Sequence, residues 1–317
     1  MRRGASMLLL LATLPLLACH GSARDRDPPP VCTLSLPRHL QHTSPDKLPA
    51  SVWYQLLFKG YRDGITSDLV DCSGEPIVWA ALPGSCLERE PPSRERQRRR
   101  QLGQDELIVR HAGGDYWFGW APFVAFDNGM SEGPLAIARV HHGALEVRAI
   151  GNLRAYTKRV GLEVRKLGGQ HILVAEGEWC GARQTCARGT RLLWLDRQRF
   201  RERPLRSSTL RSCLGPAWFP HIEVIETKLN KRWSRKLQRD VALAYQDELI
   251  LVDEHISVND YDLSQPSLPP RLFREAQAQV RVTLEGGELL SEGQSLWSAI
   301  RVEDGSTELR GRLPGAP

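Results

Sequence analysis

The sequence predicts a mainly β fold, a sandwich, barrel or irregular propeller, with one amphipathic helix near residues 228–241. Three observations predict it. Short runs rich in Val, Ile, Leu and aromatic residues recur along most of the chain, turn residues separate them, and a single stretch repeats its apolar residues every fourth position.

The chain opens with a segment built for export. Arg2 and Arg3 precede an apolar stretch from Met7 to Ala18, followed by Cys19. As a helix this stretch spans about 18 Å, against a hydrocarbon core of about 30 Å, so it suits a cleaved signal better than a transmembrane anchor. The residues at the cut site, Leu16-Leu17-Ala18-Cys19, resemble the lipobox of bacterial lipoproteins. That resemblance implies cleavage after residue 18, a thioether-linked diacylglycerol on Cys19 and an amide-linked acyl chain on its new amino group. Two or more chains anchor stably where one does not. Position 20 is His and not Asp, which in that class favours the outer membrane. The alternative is a secreted or periplasmic soluble protein cut after Gly21-Ser22-Ala23. The resemblance covers the signal segment alone.

Residues 19–49 are polar and contain Pro28-Pro29-Pro30, which reads as a semi-rigid tether. Residues 50–313 are expected to form a single β-rich domain, interrupted at 91–104 by an exposed loop. That loop carries Arg96, Arg98, Arg99 and Arg100 and offers nothing apolar to bury. Its arginines suit anionic headgroups or an acidic polymer, although a charge run is usually just solvated.

Seven cysteines become six once Cys19 is assigned to lipid. An even number in an oxidising compartment points to disulfides. Spacing favours Cys180–Cys186 as a local loop and Cys72–Cys86 as a hairpin closure, leaving Cys32–Cys213. No Cys-x-x-Cys occurs, so no metal site is expected. The chain carries 43 basic and 37 acidic residues, and the excess is too mild to point to nucleic acid.

Strand signals follow in order. Leu107–Val109 leads to the aromatic run Tyr116, Trp117, Phe118, Trp120, Phe123 and Phe126, which ends at Asp127-Asn128-Gly129, a tight-turn signal. These rings could form a ligand platform, but in a β domain they more often fill the core. Ala136–Val140 and Leu145–Ile150 flank His142-Gly143 as a hairpin. Further runs stand at Leu162–Leu167, Ile172–Ala175, Leu192–Leu195, Ile222–Ile225 and Leu249–Val252. Val280, Val282 and Leu284 alternate before Gly286-Gly287, another hairpin cue. No fixed repeat period supports a propeller.

Leu229, Trp233, Leu237 and Val241 supply the helical stripe, with Lys228, Lys231, Arg232, Arg235, Lys236 and Arg239 opposite. Such a helix packs its stripe on the core with the basic face in water, or lies on an anionic membrane. Arg232, Arg235 and Arg239 join the loop arginines as expected contacts for an anionic surface.

Catalytic motifs are missing. No Gly-x-Ser-x-Gly, phosphate loop or His-Glu-x-x-His is present. Ser44-Pro45-Asp46-Lys47 matches Ser-x-x-Lys without its companion motifs. Asp260-Tyr261-Asp262-Leu263-Ser264 resembles a calcium loop but lacks the glycine and the closing glutamate. His141 and His142, if in a strand, would point to opposite faces. No catalytic residue, metal or cofactor is therefore assigned. The expected function is a membrane-anchored envelope lipoprotein that binds or assembles with another envelope protein or an anionic envelope polymer. The alternative is an exported hydrolase of polysaccharide or cell wall, since paired carboxylates leave no linear signature.

Overall fold

The computed structural model describes residues 28–62, 65–66, 70–77, 102, 106–126, 129–180, 186–286, 288–293, 300–303 and 306–309. It is mainly β, a nearly closed barrel-like sheet joined to a half-barrel, with one α-helix. That helix lies far from the expected position.

An N-terminal arm comes first: β1 (Cys32–Ser35), two 3₁₀ turns, α1 (Ala50–Leu57), and the short pair β2 (Tyr61–Arg62) and β3 (Ile65–Thr66). The barrel strands are β4 (Ile108–Gly113), β5 (Tyr116–Trp120), β6 (Val124–Ala125), β7 (Met130–His141), β8 (Ala144–Tyr156), β9 (Lys158–Leu167), β10 (Gln170–Cys180), β11 (Cys186–Asp196) and β12 (Arg199–Arg201). Pairing runs β4–β5–β7–β8–β12–β11–β10–β9, with β8–β12 parallel and the rest antiparallel. Arg110 Nε on β4 reaches the Val160 carbonyl on β9 at 3.2 Å across the remaining seam.

The half-barrel follows. Short strands β13 (Pro204–Ser207) and β14 (Cys213–Pro216) precede β15 (Trp218–Lys228), β16 (Trp233–Tyr245), β17 (Leu249–Asp262), β18 (Arg271–Glu285) and β19 (Glu288–Glu292). This antiparallel meander starts on β11 and ends at β19, against which β13 lies parallel. A separate hairpin, β20 (Ile300–Glu303) and β21 (Ser306–Leu309), comes last.

The turns form where their residues demand. His142 (φ 49°) and Gly143 (φ 76°) both take positive φ between β7 and β8, the requirement of a two-residue hairpin turn that keeps strand twist. Gly286 (φ 56°) does the same between β18 and β19, and Gly129 (φ 81°) opens β7 after the Asp127-Asn128 signal.

Three apolar layers result. Phe118, Trp120, Leu135, Leu153, Leu173 and Leu193 fill the barrel. On its outer wall α1 seats Trp53, Leu56 and Leu57 against Ala136, Val147 and Ile150. On the other side Ile172, Val174, Leu192 and Trp194 meet Val241, Ile250, Val252 and Val282 of the half-barrel. Strands β10 and β11 are thus buried on both faces. This is why Ile172–Ala175 and Leu192–Leu195 read as unbroken apolar runs.

The expected helix at 228–241 is a strand instead. Trp233–Tyr245 pairs along its whole length with β17. A spacing of four is even, so Trp233, Leu237 and Val241 share one face of a strand as readily as one stripe of a helix. Tertiary pairing between two apolar sheets decides the matter. The true helix at Ala50–Leu57 was hidden by its brevity: eight residues with six buried.

The expected tether is also shorter than 19–49. Cys32–Ser35 pairs with β8, and Leu36, Pro45 and Leu48 are buried, so this arm belongs to the domain. Leu102, within the supposed polar loop, is buried in the layer under α1. Arg96, Arg98, Arg99 and Arg100 lie outside the described residues, as do Cys19 and Cys86.

The disulfide pairing differs from expectation. Cys32 is bonded to Cys72, Cα–Cα 6.2 Å, which rules out both Cys72–Cys86 and Cys32–Cys213; Cys213 is disulfide-bonded separately. Two strands sharing β8 explain it. β1 brings Cys32 to one part of β8 and β12 pairs with another. Arg199 of β12 then holds Asp71, next to Cys72, at 2.7 Å. The other Asp71 oxygen accepts from Ser73 N (2.8 Å), Ser73 Oγ (2.6 Å) and Glu75 N (3.1 Å). Cys180 and Cys186 stand directly opposite in register at the end of the β10–β11 hairpin, as the proposed local loop requires of the backbone.

Two stability outcomes follow from this packing. A Cβ at Gly119 would lie 2.3 Å from the Trp53 ring, whose indole also donates to the Pro45 carbonyl at 2.9 Å. Gly119→Val should cost about 1–3 kcal/mol by overpacking, and part of that loss should be recovered with Trp53→Leu in a denaturant double-mutant cycle. Asp71→Ala leaves the half-buried Arg199 with the exposed Glu75, 3.3 Å away, and frees the turn, so a loss of about 3 kcal/mol is expected in the same assay.

Candidate functional site

Strands β15 to β18 position the two features that can meet a ligand: a cleft midway along the half-barrel, and the tip where its longest turns project.

The cleft follows from strand register. Asp240 on β16, His255 on β17 and Gln277 on β18 are direct cross-strand neighbours. A cavity of about 670 Å³ has these three in its walls together with Arg188, His221 and Glu254. The hydrolase alternative requires carboxylates and imidazoles in one cleft; register places Asp240 and His255 on one face of the sheet and Glu254 on the other, so the state of each group matters.

Each group is already engaged. Glu254 forms a buried ion pair with Arg239. Asp240 accepts from Gln238 Nε2 at 3.1 and 3.2 Å. His255 bridges two strands, with Nε2 2.6 Å from Glu275 and Nδ1 3.8 Å from Asp240. Arg188 reaches Glu176 at 3.0 Å, and Asp253 accepts from Gln279 at 2.8 Å. His221 bonds Thr190. Burial pushes the His221 pKa below the ordinary imidazole value, which favours the neutral ring.

The tip is different in character. It joins the β15–β16 turn to the β17–β18 loop through the Leu263 amide, which donates to the Arg232 carbonyl at 2.7 Å. Asp262 accepts two bonds from Arg232, at 2.9 and 2.8 Å. These hydrogen bonds, aided by Ser264, hold the Asp262 carboxyl down at about 2. Asp260 takes Arg235 in a fork at 2.7 and 3.0 Å, and that hydrogen bonding lowers its pKa too. Arg235 also lies 3.7 Å over the Phe273 ring, and Arg232 sits 5.5 Å over Trp233.

The expected basic face is thereby divided. Strand alternation puts Arg235 and Arg239 on the same side as Leu237 and Val241, and turns Lys236 to the other. Arg239 is buried and unavailable to a surface, while Arg232 and Arg235 are at the tip and engaged with aspartates. The Asp260–Ser264 stretch is the end of β17 and the start of the turn after it, and its carboxylates face guanidinium groups.

Elsewhere the aromatic run is mostly core. Phe118, Trp120, Phe123 and Phe126 are buried, while Tyr116 is half-buried and accepts from Arg139 at 3.1 Å. His141 and His142 do meet, contrary to the strand argument, with ring centroids 3.9 Å apart. His142 is in the turn with left-handed φ, so alternation does not apply to it. His141 bonds Glu146 at 3.2 Å. Burial raises the Glu146 pKa, but the bonds from His141 and Arg139 outweigh it and the net shift is downward. Ser44 donates to Asp46 within its own turn. No cluster of His, Cys, Asp and Glu among the described residues is arranged to hold a metal.

The chain matches no family model, no curated protein and no solved structure. Function must therefore be argued from the site alone.

Sequence reasoning missed the Arg239–Glu254 pair and the cleft. A signal existed: Glu254 interrupts the inward series Ile250, Val252, Ile256, Val258, and Arg239 stands between Leu237 and Val241. A charge at an inward position of an alternating strand calls for an opposite charge nearby.

Two outcomes test these assignments. Glu254→Leu leaves Arg239 buried without its partner and should cost about 3–5 kcal/mol, whereas Arg239→Met with Glu254→Leu should restore most of it in urea unfolding. The Asp262 carboxyl carbon, followed by NMR, should titrate near pH 2. Because its folded pKa is depressed, its contribution is complete above about pH 4 and fades as pH falls towards 2.

Proposed function

We propose that this chain is a lipid-anchored protein of the bacterial cell envelope, held by acyl chains on Cys19, whose β domain binds or assembles with an envelope partner. Leu16-Leu17-Ala18-Cys19 supports the anchor, with the outer membrane favoured by His20. The observation that carries binding over catalysis is the cleft itself. Its carboxylates and imidazoles are engaged with Arg, Gln, Thr and one another, whereas a hydrolytic pair needs one carboxyl free to hold a proton and another free to act as base or nucleophile. The partner is another envelope protein or an anionic envelope polymer. No helix among the described residues is long and apolar enough to cross a membrane, so attachment in this reading rests on lipid.

A second reading has one observation in its favour. Asp240, Glu254, His221 and His255 do surround a cavity large enough for a sugar unit, as an exported hydrolase would need.

Intact mass of the mature protein separates the anchored reading from simple secretion, and a turnover assay separates binding from hydrolysis. The expected result is a chain beginning at Cys19 and carrying two or three acyl chains. A lipid-free chain beginning at Arg24 would remove the anchor. Turnover of cell-wall or polysaccharide substrate, abolished by Asp240→Asn with the fold intact, would replace binding with hydrolysis.

A further inference from the structure

The tip of the half-barrel carries more than the proposed function uses. Among the described residues seven large apolar side chains are exposed, and five of them lie here: Leu229, Leu263, Leu268, Leu272 and Phe273, each 41–54 % exposed. Isolated exposed leucines need no explanation, but five on two joined turns and the first residues of β18 concentrate apolar surface at this end of the half-barrel. The patch is held in place. Gln265 N donates to the Asp262 carbonyl (3.1 Å) and Leu268 N to the Gln265 carbonyl (3.0 Å), so consecutive turns fix the loop that displays the leucines.

Charge surrounds it. Residues 228–236 and 260–274 contain Lys228, Lys231, Arg232, Arg235, Lys236, Arg271 and Arg274 against Asp260 and Asp262, seven positive charges against two negative. Arg232 and Arg235 are matched by the two aspartates. Lys236 lies 3.9 Å from Glu226, so the excess sits on Lys228, Lys231, Arg271 and Arg274. Leucine and phenylalanine at the apex with lysine and arginine behind suit the boundary between acyl chains and anionic headgroups. A protein partner would more often meet an apolar centre depleted of lysine.

We infer that this tip is a membrane-docking surface for an anionic bilayer, with Leu263, Leu268 and Phe273 entering the interface and Lys228 and Lys231 meeting headgroup phosphates. The inference rests on the envelope reading but not on acylation. The placement is compatible with an anchor at the other end. The Pro29 carbonyl accepts from Gln198 (2.6 Å) in the β11–β12 turn, at the opposite end of the strands from the tip. The strands between, such as the 14-residue β17, span about 45 Å. The chain from Cys19 to Pro28 reaches at most about 30 Å. A bilayer touching both points runs along the strands, and the domain lies on its side.

The test is hydrogen exchange of the mature protein in vesicles of phosphatidylcholine alone or mixed with phosphatidylglycerol. Amides of 228–232, 263–265, 267 and 268 should exchange about thirtyfold more slowly with the anionic lipid, the scale two headgroup-bound cations supply. High salt should reverse the protection, and Lys228→Glu with Lys231→Glu should abolish it. Leu268→Asp should abolish it too; if that variant unfolds, the charge reversal on exposed turn residues decides. Equal exchange in both lipids overturns the inference, as does protection that survives charge reversal. Protection that tracks protein density in place of lipid charge also overturns it, in favour of a second copy as occupant. If mass shows no acyl chain on Cys19, the same protein added to preformed vesicles gives the same comparison, so the two failures stay distinct.

Discussion

The structure depends on β10 and β11 being buried on both faces. Leu173, Ala175 and Leu193 turn into the barrel, while Ile172, Val174, Leu192 and Trp194 turn out towards the half-barrel. One pair of strands therefore serves two cores. Each of these side chains gains about 1.5–3 kcal/mol by leaving water, but only if both sheets are present. A barrel without the meander would expose the outer row, and a meander without the barrel would lose its floor. The two parts are one cooperative unit for that reason.

The N-terminal arm closes the opposite wall by the same logic. β8 accepts β1 along one segment and β12 along another, and α1 covers the apolar side chains between. Trp53 fits because β5 has glycine at residue 119. The Cys32–Cys72 bridge closes the arm on itself, and the Asp71–Arg199 ion pair fastens it to β12.

Charge is used differently in the two halves. Inside the half-barrel Arg239 and Glu254 neutralise each other among Val241, Ile256 and Val252, a pairing whose attraction is offset by the water both charges lose. At the tip Arg232 and Arg235 are matched by Asp262 and Asp260, while Lys228 and Lys231 form no ion pair among the described residues, which leaves positive charge beside exposed leucines. A polar cleft whose charged groups are paired with one another and an apolar tip flanked by cations both depend on where odd and even residues of β16 and β17 point.

Much of the fold was legible residue by residue. Gly143, Gly129 and Gly286 announced their turns because only positive φ satisfies those positions, and the unbroken runs at 172–175 and 192–195 announced strands buried on two sides. The helix at 228–241 was misread because a period of four satisfies both a helix and a strand, and only the apolar face of β17 could choose between them. The first disulfide was misread because Cys32 and Cys72 are 40 residues apart and meet only through strands that share β8. Local composition and backbone sterics were enough for the β class and the turns. Barrel over sandwich, the Cys32–Cys72 pairing, the ion-pair partners of the tip and cleft arginines, and the gathering of cleft and tip came from the tertiary structure, since these depend on which distant strands pair and on the face each side chain then takes.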